Sequence, residues 1–272
     1  MAVGATVERR DTFAANRAVG QIALTIAHDG TRSRRARVHE HGPLRARFPG
    51  GDALEVMIIN TAGGVAGGDR FSIDVSVEAG AEATLTTAAA EKIYRALDDD
   101  ATVDVKLRVE RDAILRWLPQ ETILFNAARL RRRIDVEVAS DARLLLAEAT
   151  VFGRTAMGET VSRGRLIDRW RVRRAGELIF ADTMRLEGSI EDQLAHAAVA
   201  DGGCAVATVL IFPGDVALEP VRAIQFTCEV GISTWNGLAL ARLIGRDGES
   251  LRRDLVQLLT VIEGRRPRLW LN

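Results

Sequence analysis

An alternation of apolar and polar residues with a period of two constrains this chain more than any other feature. Phe71, Ile73, Val75 and Val77 interleave with Ser72, Asp74, Ser76 and Glu78, and Val103, Val105, Leu107 and Val109 interleave with Asp104, Lys106, Arg108 and Glu110. Successive side chains of an extended backbone point to opposite faces, so each run reads as a strand with one buried face and one wet face. Ile134, Val136 and Val138 repeat the pattern, and residues 166–173 and 178–184 flank Ala175-Gly176, a hairpin turn. Such strands recur through about residue 188. No repeat of fixed period accompanies them, which argues against a propeller or a regular solenoid recognisable from sequence.

Helical spacing is confined to the last third. Leu251, Leu255, Leu258, Leu259 and Ile262 fall on one face behind Ser250, which reads as an N-cap. A shorter helix is expected from Asn236 to Ile244, ended by Gly245, and a third near Ile190 to Val199, opened by Ser189 with Asp192 three residues on. The expectation is an irregular, mainly β body with two or three helices in the C-terminal third.

A chain of 272 residues buries roughly three-quarters of its unfolded surface, and no Pro/Ser-rich linker divides it. A single domain over residues 21–272 is expected, after a loosely ordered stretch at 1–20. The 37 Lys+Arg balance the 37 Asp+Glu, which removes the broad attraction that drives binding to nucleic acid or anionic membrane. The basic side is almost all arginine, clustered at residues 32–37, 129–133 and 169–174. These clusters are either solvated faces or protein contact surfaces, since arginine's planar fork suits interfaces rich in carboxylates. Only Cys204 and Cys228 are present, which fits a reducing compartment, and the cytoplasm is expected. Glu8, Arg9, Arg10 and Asp11 stand where a signal peptide needs an apolar core, and no run reaches the ~20 apolar residues of a membrane span.

Asn60 to Asp69, NTAGGVAGGD, is the most unusual local stretch. A phosphate loop opens a helix, whereas a strand follows here and no Gly-Lys-Ser/Thr occurs, so tight turns or close backbone approach are the readings kept. His28, His39, His41 and His196 are scattered, so no stable metal site is expected. Neither Gly-x-Ser-x-Gly nor a Cys with an ordered His is present. An acidic pair of the kind glycosidases use stays open, drawn from Asp69, Glu121, Glu159, Asp168 and Asp182, so a β-rich carbohydrate-active enzyme is the alternative to a non-catalytic protein. Asp168 shares the parity of Leu166, Trp170 and Val172, which places it inward and asks for an ion pair with an arginine. Of Trp117, Trp170, Trp235 and Trp270, two are expected in the core and at least one at an interface.

In order along the chain, NTAGGVAGGD, Lys92 to Arg95 (KIYR), Trp117 to Phe125 (WLPQETILF), Gly153 to Glu159 (GRTAMGE), Asp168-Arg169-Trp170 and Pro267 to Trp270 resemble the successive signatures of the UreD family, also called UreH. The likeness covers nearly the whole chain. Glu91 departs from the small polar residue expected before Lys92, and Asn126-Ala127 stands where an acidic-Gly pair is common. The resemblance implies a distorted helical stack of β-strands and a non-enzymatic scaffold in urease maturation. It further implies complexes with UreF, UreG and apo-urease, with homodimerisation admitted inside that assembly. Nickel would be a transient cargo rather than a bound cofactor, moving through an internal passage. By position in the matched motifs, Asp69 and Glu159 are candidates for the passage; Lys92, Tyr94, Arg95, Trp117, Gln120 and Glu121 are candidates for partner contact.

Overall fold

The computed structural model describes residues 17–272 apart from 52, 155–156, 216–217, 265–269 and 271–272. The alternating runs form two stacked sheets. The first holds β1 (Val19–His28), β2 (Ser33–His41), β5 (Arg70–Val77), β8 (Ala101–Val109), β11 (Arg129–Val138), β13 (Gly164–Arg174) and β14 (Glu177–Gly188), in the order β14-β13-β11-β8-β5-β1-β2. The second runs β16 (Glu229–Trp235), β17 (Leu238–Gly245), β15 (Ala205–Phe212), β12 (Arg143–Phe152), β9 (Ile114–Trp117), β6 (Glu82–Thr87), β4 (Glu55–Asn60) and β3 (Leu44–Arg47). Short β7 (Glu91–Ile93) and β10 (Thr122–Leu124) lie beside β12, with β10 between them.

From β4 to β13 the chain keeps crossing between the sheets, and each new strand lies parallel to its predecessor in the same sheet. The result is a β-solenoid-like stack of about four turns. Successive turns of the first sheet begin at Arg70, Ala101, Arg129 and Gly164. Those unequal spacings leave no fixed period in the sequence, because turns of different length still stack when their strands keep register.

The inward parity of both sheets forms the main core, with Ile22, Val75, Leu107 and Ile134 facing Leu85, Leu115, Leu144 and Leu146. A second core lies on the outer face of the second sheet. There Leu251, Leu255, Leu258 and Leu259 of the longest helix pack on Leu145, Ala147 and Val209. Every position of β12 after Arg143 is therefore buried, which is why that strand is apolar on both faces.

Among the described residues three helices are seen: α1 (Ile190–Ala195), α2 (Leu218–Arg222) and α3 (Gly248–Glu263). Ser189 caps α1 by accepting from the Asp192 amide at 3.4 Å, although the helix stops at Ala195, short of the expected Val199. The cap of α3 is Asp247, not Ser250; its carboxylate accepts from the Ser250 amide at 2.7 Å, and Ser250 returns a bond to the Asp247 carbonyl. The helix expected at 236–244 is strand β17, and strands continue past residue 188 as β15, β16 and β17. Asn236-Gly237, with φ of 50° and 76°, turns β16 into β17, and pairing on both sides overrides the helix preference of Leu and Ala. Ala175-Gly176 forms the expected hairpin, with φ of 48° and 86°.

Of the stretch expected to be loose at 1–20, residues 1–16 lie outside the described residues, and β1 begins at Val19. Within the C-terminal PRLW signature only Trp270 is described. Trp117, Trp170 and Trp270 are buried, whereas Trp235 is exposed on the edge strand β16. Among the described residues no helix is long and apolar enough to cross a membrane.

Candidate functional site

Four motifs far apart in sequence meet on one surface. The parallel pairing of β7 with β10 lays Lys92 and Ile93 beside Ile123 and Leu124, and Val65 of the glycine-rich loop bridges to Ile93. Tyr94 then donates its hydroxyl to the Gly63 carbonyl at 2.9 Å and stands edge-on to Phe125 with ring centroids 5.2 Å apart. The Arg154 guanidinium lies 4.2 Å from the Phe125 ring centre and forks onto Glu159 at 2.7 and 3.1 Å. Those hydrogen bonds hold the Glu159 carboxyl below the usual range. Lys92 and Arg95 are exposed beside them.

The glycines of the loop serve this assembly rather than an anion. A Cβ on Gly64 would lie 2.3 Å from the Tyr94 ring, and one on Gly67 would lie 2.5 Å from the Ala96 Cβ. The close approach that the loop permits is thus to its own chain. Asp69 lies under the loop at 5% exposure, its Oδ1 accepting from the Ala18 amide at 2.9 Å and its Oδ2 from the Ala66 amide at 2.8 Å. Both of its oxygens are engaged, and nothing brings it together with Glu159.

The WLPQE stretch faces inward. Trp117 is buried and donates its indole N–H to Glu148 at 2.8 Å. Glu121 is buried under α3, where Arg252 donates to both of its oxygens at 2.8 and 2.9 Å. The Gln120 backbone amide donates to the Thr87 hydroxyl at 2.9 Å. Of the six contact candidates, therefore, only Lys92, Tyr94 and Arg95 present side chains on this surface.

A charged cluster that the sequence reading did not assemble lies between the sheets. Arg132, 5% exposed, forks onto Asp168 at 3.0 and 2.6 Å, reaches Thr122 at 3.3 Å and also pairs with Glu148. The Trp170 indole adds a bond to Asp168 at 3.2 Å. Burial pushes the Glu148 carboxyl up against the pull of Arg132, and the two carboxylates hold Arg132 firmly charged. Asp168 and Glu148 are drawn together on Arg132, and both are buried. On the other side of Thr122, Glu91 of β7 is pushed up to about 7 by burial, a shift that a bond from the Asn60 amide at 3.1 Å opposes. Among the described residues no group of three or more His, Cys, Asp or Glu gathers in a way that could hold a metal ion.

The profile of the UreD urease accessory protein family matches residues 18–271. The chain belongs to the UreD family. Among its relatives, "Urease accessory protein UreD" of Rhodopseudomonas palustris is 53% identical, with all of both chains covered. The protein of the same name from Bradyrhizobium diazoefficiens is 51% identical over 96% of each chain, and "Urease accessory protein UreD 3" of a Bradyrhizobium species is 49% identical over 96% of each. Of the motifs that carry the resemblance, Gly63, Tyr94, Phe125, Arg154 and Glu159 come together at the Tyr94 surface.

Arg132 and Glu148 were missed, yet both carry a signal. Arg132 shares the parity of Leu130, Ile134, Val136 and Val138, and Glu148 is the single carboxylate in the apolar run 144–152. A charge in either setting must be buried and paired.

Proposed function

We propose that this chain is a urease maturation factor of the cytoplasm: a non-catalytic scaffold that binds apo-urease together with UreF and UreG and assists the passage of nickel to the urease active site. The observation that carries the reading is the family match across residues 18–271, with relatives of similar length that are named urease accessory proteins. The gathering of its signature motifs on one surface supports a contact role for that surface, with Lys92, Tyr94 and Arg95 as the side chains offered to a partner. Nickel is treated as cargo and not as a resident cofactor, with Asp69 and Glu159 as proposed waypoints and self-association inside the complex as part of the same proposal. Because both Asp69 oxygens and both Glu159 oxygens already accept hydrogen bonds, nickel would engage them only by displacing those donors. That suits a weak, transient ligand better than a storage site.

The test is co-expression with UreF, UreG and apo-urease, followed by pull-down and nickel activation of urease, with and without this chain. Dependence of both complex recovery and activation on the chain is expected. A chain that neither co-purifies nor alters activation would overturn the reading. Lys92→Glu and Arg95→Glu should reduce recovery of the complex, whereas Asp69→Asn and Glu159→Gln should reduce activation with the complex intact.

A further inference from the structure

Strands β2 and β3 end their two sheets at the same side of the molecule and lie side by side there. Along the nine residues of β2, no strand pairs with its outer edge among the described residues, and nearly every side chain is exposed. Unpaired strand edges accept further strands, and proteins normally cover or blunt them.

The chemistry of this edge is one-sided. Residues 28–48 carry six arginines, 32, 34, 35, 37, 45 and 47, against two carboxylates, Asp29 and Glu40. Arg34 occupies Asp29, and Arg45 and Arg47 share Glu40. Arg32, Arg35 and Arg37 have no carboxylate partner among the described residues, and Arg35 lies 5.0 Å from the centre of the Phe48 ring. Register with β1 places Arg35 and Val38 on the parity of Ile26 and Leu24, toward the gap between the sheets, and Arg37 on the other face. That gap is an open groove of about 480 Å³, lined by Arg35, Val38, Ala46, Arg47 and Phe48 among others. Val38 is 39% exposed at its rim.

We propose that β2 is a docking edge that takes up an extended acidic segment of another protein as an additional strand. Main-chain hydrogen bonds would supply attachment, and alternate side chains would supply selection. A residue opposite Val38 points into the groove toward Phe48 and should be apolar, while residues opposite Arg35 and Arg37 should be acidic. A second copy of this edge is a poor occupant, because arginine would face arginine. Blunting of the edge by charge accounts for the arginines but not for Val38 and Phe48, the apolar side chains in the groove beside them.

The probe is a fluorescein-labelled synthetic peptide of alternating glutamate and valine, seven residues long, titrated into the full chain and followed by fluorescence anisotropy. Saturable binding is expected, at least tenfold weaker to the Arg35→Glu/Arg37→Glu variant and unchanged for Arg169→Glu, which alters the far half of the same sheet. A peptide N-methylated at every amide keeps its charge but has no main-chain N–H to offer an edge strand, and should also bind at least tenfold more weakly. This arm needs no variant and survives any folding defect in the double substitution. Absence of saturable binding, or equal binding of the methylated and unmethylated peptides, would overturn strand addition, as would self-association through this edge in place of peptide binding.

Discussion

Arg132 illustrates what one buried charge demands of its surroundings. It faces two carboxylates and a hydroxyl in a site closed to water, so removing it strands both acids in a medium that does not solvate them. Arg132→Leu is expected to cost about 3–5 kcal/mol of stability, read as a fall in the urea midpoint. A cost below about 1 kcal/mol would mean that water reaches the cluster. Glu91 gives a pH-dependent counterpart. Its carboxyl titrates near 7 in the folded chain and near its ordinary value of 4.5 when unfolded. The folded state therefore holds the proton more tightly, and the stability this confers is complete below about pH 4.5 and lost as pH rises through 7. Glu91→Gln carries no such charge, so its advantage over the parent should grow between pH 5 and pH 8, by on the order of 2–3 kcal/mol. An advantage that is the same at both pH values in urea unfolding would place the Glu91 titration elsewhere. The inward parity of Arg132 and Asp168 was legible in the sequence. That they meet each other and Glu148 was not, because the meeting depends on which turn of the stack lies over which.

At the scale of elements, strands were legible where one face is wet and became ambiguous where both are buried. Residues 238–244 read LALARLI, a string made mostly of good helix formers. Their strand identity is set by β15 on one side and β16 on the other, and locally only Asn236-Gly237 announces it. The same backbone logic explains the Asn126-Ala127 departure. Ala127 sits at φ 63°, a left-handed conformation in which a Cβ is strained, and the resemblance leads to the expectation of glycine at this position. Asn126 meanwhile accepts from the Ser162 hydroxyl and the Arg163 amide, bonds that a carboxylate could equally accept. Ala127→Gly should raise stability by about 0.5–1 kcal/mol, relief of strain outweighing the entropy of the unfolded glycine. A higher urea midpoint with an unchanged slope is the expected result. A lower midpoint would show that the alanine methyl contributes packing that outweighs the strain.

Taken as a whole, the molecule has three layers: a first sheet with a wet, charged outer face, a second sheet whose central strand β12 is buried on both faces, and a helical layer that closes the second sheet. The helical layer is fastened by charge as well as by its leucines. Arg116 reaches from β9 to Glu263 at one end of α3, and Arg252, 5.4 Å from the centre of the Trp270 ring, holds Glu121 below it. Trp270 in turn donates to the Leu118 carbonyl at 3.0 Å. The WLPQE stretch thus links the two cores: Trp117 serves the charged cluster between the sheets, and Leu118 and Glu121 receive the helical layer. Arg252→Ala leaves the buried Glu121 without its cation and frees one face of Trp270, at an expected cost of about 2–3 kcal/mol. Hydrogen–deuterium exchange should locate the loosening in α3 and β10 while β5 and β8, a full sheet away, keep their protection. Equal loss of protection in β5 and β8 would mean that the helical layer and the two-sheet stack open as one unit, and that the Glu121 anchor sets the stability of the whole chain rather than of its outer layer.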